Sequence, residues 1–141
     1  MTEQEGELQK QIRQAVSAGG IDKAVTVVGQ WISRAAGSSK DPRPAVVGVC
    51  RGGMGALLVA GQDLPEAAVK ILESLPNLSL MMRVGPEELM SWVMEGIAEV
   101  TVIAPPEAAD AIRTRIDERF MGAGEVFDSL CEKSRRKGPS A

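Results

Sequence analysis

The sequence predicts an α/β fold: a small three-layer domain with a short parallel sheet in the order βαβαβα, preceded by an N-terminal helical pair. Two observations carry that expectation. Short apolar runs at 45–50, 78–84 and 99–104 are each flanked by Pro or Gly, and the first and third are rich in Val and Ile. Helical stretches with proline at their starts alternate with these runs, and alternation at this length implies a parallel sheet with right-handed crossovers.

Residues 3–18 place Leu8, Ile12, Ala15 and Val16 at helical spacing among Glu, Gln, Lys and Arg, and Gly19-Gly20 stops that helix. A second helix follows, capped by Asp22, with Ala24, Val28, Trp31 and Ile32 as its apolar face; a loop from Gly37 to Pro42 ends it. The first strand, 45–50, then runs into the glycine-rich stretch Arg51-Gly52-Gly53-Met54-Gly55. The next helix enters at Pro65 and leaves at Pro76, and LSLMMRV supplies a strand carried by Leu and Met. A further helix runs from Pro86 to Gly96, the third strand follows, and another helix begins at Pro105-Pro106. That helix has Glu107 and Asp110 near its positive end and Arg113, Arg115 and Arg119 toward its negative end. A last helix from Gly122, with Val126, Phe127 and Leu130, leads into the basic end EKSRRKGPSA. The organisation reads as a helical pair at 1–40, an α/β domain at 41–122 and a C-terminal helix with basic tail at 123–141, with no internal repeat.

With 141 residues, 44% of them hydrophobic and 25% charged, the chain is long enough to bury a real core. No apolar run is long enough for a membrane span, and the acidic, polar start MTEQEGELQKQ is unlike a secretory signal, so the expected location is cytoplasmic. A net charge of −3 and few aromatic residues argue against nucleic acid as a partner. The chain has neither histidine nor tyrosine, which removes the commonest general base and the usual Ser-His and Cys-His pairings. Two cysteines without histidine cannot complete a four-ligand metal or iron–sulfur site, so no metal or cofactor is expected and catalysis is not favoured.

In a parallel sheet, ligands lie outside the carboxyl ends of the strands, where Cys50 and Gly85 would converge. Arg51, Gly52, Gly53, Gly55 and Gly85 are therefore the candidate ligand-binding residues, and Cys50 the candidate catalytic one. Gly48 and Gly53 have the spacing of a phosphate-binding loop but lack the following Lys-Ser or Lys-Thr, and Gly53-x-Gly55 lacks the third glycine of a dinucleotide fingerprint. The alternatives are a tight strand-to-helix turn whose glycines take positive φ, and an anion or nucleotide cradle. A thiol at a strand end beside Arg51, facing helix N-termini, would have a lowered pKa and could carry a persulfide; a lone cysteine also serves as a small buried hydrophobe. Cys131, on a surface-leaning helix, reads as incidental.

The segment from Pro44 to Phe120 resembles the delta subunit of methyl-viologen-reducing hydrogenase, a [2Fe–2S] module that passes electrons to heterodisulfide reductase. Cys50 occupies the first cysteine position of that family, and RVGPEELMSWVMEGIAEVTVIAP follows its Arg-Val-Asp-Pro-Glu helix and the next strand. Gly53 stands in place of the second cysteine, Leu80 falls near the third, and Pro105 and Asp110 fall where the last pair would be. The resemblance implies fold and protein partners without the cluster: an accessory or docking subunit of a heterodisulfide-reductase-like redox complex in sulfur metabolism. A sulfur-transfer protein using Cys50 and an anion-binding module are the alternatives, and a homo-oligomer is compatible with each.

Overall fold

Apolar residues recur every three or four positions through the chain, and in the computed structural model, which describes residues 3–38 and 40–137, each such stretch is a helix. There are seven among the described residues: α1 (Glu3–Gly19), α2 (Ile21–Ser38), α3 (Pro42–Val59), α4 (Leu64–Ser79), α5 (Pro86–Val100), α6 (Pro106–Arg119) and α7 (Ala123–Lys137). The expected sheet is absent from the described residues, so the α/β assignment is replaced by an all-helical one. Of the sequence-predicted elements, Ser39 and residues 138–141 of the basic tail lie outside the described residues.

Each expected strand fails for its own reason. Val46, Val47, Cys50, Gly53, Met54 and Leu57 are buried along α3, so the run at 45–50 is the first half of one helical face extending to residue 57. Its β-branched residues weaken helix propensity by only tenths of a kcal/mol each, which burial of that face outweighs. The run at 78–84 is the last turn of α4 followed by a tight turn, in which Met81 N–H donates to Leu78 O and Met82 N–H to Ser79 O. The run at 99–104 is the end of α5 and its turn: Thr101 Oγ1 donates to Ala98 O at 2.6 Å, and Ala104 N–H donates to Val100 O.

Helix boundaries follow local chemistry. Proline occupies the first turn of α3, α4, α5 and α6, where a missing N–H costs nothing. Asp63 caps α4 by accepting from Glu66 N–H at 3.1 Å. Gly20, Gly61 and Gly122 take φ of 77°, 71° and 88° and turn the chain after α1, α3 and α6. At the last of these turns Asp117 Oδ1 accepts from both Gly122 and Gly124 N–H at 3.2 Å. Pro76 does not end its helix; α4 continues to Ser79.

The short turns make consecutive helices antiparallel, and the contacts between alternate helices sort them into two layers. In one, α1 packs on α3, α3 on α5 and α5 on α7; in the other, α2 packs on α4 and α4 on α6. Alternate helices run parallel. Arg43 pairs with Glu95 and Arg51 with Glu99 along α3 and α5, both at 2.7 Å, while Glu66 pairs with Arg115 and Glu73 with Arg119 along α4 and α6. The molecule is thus an open stack of helical hairpins, in which each helix meets the next parallel helix and, except between α5 and α6, its sequence neighbours. The core between the layers is continuous from Leu8 to Cys131 and crosses the segment boundaries expected at 40/41 and 122/123. The end helices turn polar faces outward: Lys10, Arg13 and Gln14 on α1, and Asp110, Thr114 and Glu118 on α6. Polar outer faces cap a stack against growth from its ends.

Candidate functional site

The glycine-rich stretch lies inside α3, and its residues do not converge on an opening. Cys50 is fully buried against α5, and desolvation pushes its thiol pKa up, the reverse of what a nucleophile or persulfide carrier at neutral pH needs. The neighbouring Arg51 turns outward to Glu99. None of Gly52, Gly53, Gly55 and Gly85 has positive φ, so the turn geometry expected of them is absent. Two of them serve close approach. A Cβ on Gly52 would stand 3.2 Å from Leu8 Cδ2 of α1, and one on Gly53 3.0 Å from Val28 Cγ2 of α2. Gly55 faces open space, and Gly85 precedes α5 in extended backbone. The structure therefore brings Cys50 to the core, Gly52 and Gly53 to helix contacts, and Gly85 to a separate turn. Cys131, expected near the surface, is also buried, beside Thr101, and its pKa too is raised by desolvation.

No group of three or more His, Cys, Asp or Glu able to hold a metal ion occurs among the described residues. Shallow depressions among the described residues include two. One, of about 500 Å³, is lined by Lys10, Arg13, Gln14, Ser17 and Ala18 of α1, and the other, of about 520 Å³, by residues of the α4 entry and α6, including Asp63, Asp110, Thr114 and Arg115. In the second, Asp63 is occupied as the α4 cap and Arg115 is bonded to Glu66 at 2.6 Å.

Folding leaves large apolar side chains exposed at both ends of the stack, Val59 and Ile103 at one end and Leu80, Met81 and Met121 in two turns at the other. Leu80 and Met81, in the turn between α4 and α5, are 84% and 82% exposed, and Met121, in the turn between α6 and α7, is 98% exposed. Both turns lie at the same end, because the helices alternate in direction. They lie at different heights. Arg119, the last residue of α6, pairs with Glu73, and α4 continues six residues further to Ser79, so the turn after α4 lies beyond the turn after α6. On the other layer Cys131 lies against Thr101, fifteen residues after the start of α5 but eight after the start of α7, an offset in the same direction. The two layers agree on a step with Leu80 and Met81 on the projecting turn and Met121 on the recessed one.

The rim of the step is acidic. Glu87 and Glu88 stand exposed in the first turn of α5, and Glu118, Glu125 and Asp128 flank the recessed turn. The N-terminal dipoles of α5 and α7 favour Glu87, Glu88 and Glu125 where they are. Among the cations near these turns, Arg83 is exposed and Arg119, also exposed, is paired with Glu73. Sequence reading weighs Met81 and Met121, with Met54, Met82, Met90 and Met94, as a soft adaptable interface and prefers core filling, because it assigns LSLMMRV to a strand; the signal against that strand is an apolar run placed just before a helix-opening Pro86.

No family model, curated protein or solved structure matches this chain. Of the positions on which the resemblance to the hydrogenase delta subunit rests, Cys50 and Gly53 lie inside α3, Asp110 inside α6, and Leu80 and Pro105 in the turns between helices.

Proposed function

We propose that this chain is a docking protein, acting by holding another protein on the Leu80–Met81 turn. The observation that carries the reading is the exposure of two large apolar side chains side by side on one turn, Leu80 at 84% and Met81 at 82%. Contiguous exposed apolar surface of this kind marks interaction sites in soluble proteins. The burial of Cys50 and Cys131 supports a binding role over sulfur transfer, since neither thiol is presented to a reaction partner. Membership of a heterodisulfide-reductase-like complex is the narrower form of the same proposal, and the identity of the bound protein decides it.

The test is site-specific photo-crosslinking in cells that make the protein. A photoreactive residue at Met81 should give one discrete heavier species, and the same residue at Gln14 on the polar α1 face should give none. Equal labelling at both positions, or none at either, overturns the proposal.

A further inference from the structure

We draw no further inference here: the strongest candidate, the apolar turns between α4 and α5 and between α6 and α7 with Leu80, Met81 and Met121 exposed beside an acidic rim, belongs to the docking site already described, and nothing in the structure shows what covers it.

Discussion

Gly96 of α5 lies directly on Cys50 of α3: a Cβ placed on Gly96 would stand 2.6 Å from Cys50 Cβ and 2.7 Å from Val47 O. Since one of those neighbours is backbone, the two helices must separate to admit even a methyl group. Gly96→Ala should therefore destabilise by about 1–3 kcal/mol, in the range of an overpacked core, despite alanine's better helix propensity. Urea unfolding measures it, and Gly29→Ala is the control, where the nearest atom would lie at an ordinary 3.5 Å. An unchanged midpoint for Gly96→Ala would show that α3 and α5 are not in this contact.

Gly55 is the opposite case. It sits inside α3 with nothing within 4 Å of a built Cβ, so Gly55→Ala should stabilise by about 0.5–1 kcal/mol through helix propensity. Gly61, at φ 71°, should behave in reverse, with Gly61→Ala costing about 1 kcal/mol. Thermal melts of the pair check both signs together, and a destabilised Gly55→Ala would indicate a turn rather than a helix there.

The buried thiols make stability fall in alkali. Desolvation raises the pKa of Cys50 above the ordinary 9.0, so above pH 9 the unfolded chain loses a proton that the native chain keeps. That stabilisation is complete below the unfolded value and is lost as pH rises, with a slope of about 1.4 kcal/mol per pH unit for one fully protected thiol. The slope should shrink in Cys50→Ala. In the native state at pH 7, iodoacetamide should modify neither Cys50 nor Cys131 until unfolding exposes them, and fast labelling of Cys50 would restore the sulfur-carrier alternative.

Glu66 ties three helices together. It accepts from Arg115 of α6 at 2.6 Å and lies 3.7 Å from Lys70, which pairs with Asp22 of α2 at 2.7 Å. Arg115 holds the Glu66 carboxyl below its ordinary value, so this contribution is present above the unfolded carboxylate pKa and is lost as pH falls through the lowered folded one. Glu66→Gln should lower the urea midpoint at pH 7, and the gap to the unmodified protein should close in strong acid. A constant gap across that range would remove the ion pair as the cause.

Loss of the α4 cap is a local test of the same layer. Asp63→Ala leaves Glu66 N–H without its side-chain acceptor and should cost about 1 kcal/mol, with Asp63→Ser largely restoring it. Equal losses in the two variants would place the effect elsewhere.

Local chemistry in the chain by itself determined where most helices begin and how the terminal ones pack. Pro65, Pro86 and Pro106 mark three entries, Gly20 ends α1, and the apolar faces read at Leu8, Ile12 and Ala15, at Ala24, Val28, Trp31 and Ile32, and at Phe127 are all buried. Those signals depend on neighbours within one or two turns. The state of residues 45–59 was decided only by tertiary structure: Val46, Val47 and Val49 favour a strand locally, but the face through Cys50, Met54 and Leu57 finds α1, α2 and α5 to pack against only as a helix. Gly52 and Gly53 look like a turn until Leu8 and Val28 arrive from helices distant in sequence. The same holds for the candidate site. Leu80, Met81 and Met121 are ordinary apolar residues in the sequence, and only the folded arrangement leaves them exposed in the turns between α4 and α5 and between α6 and α7.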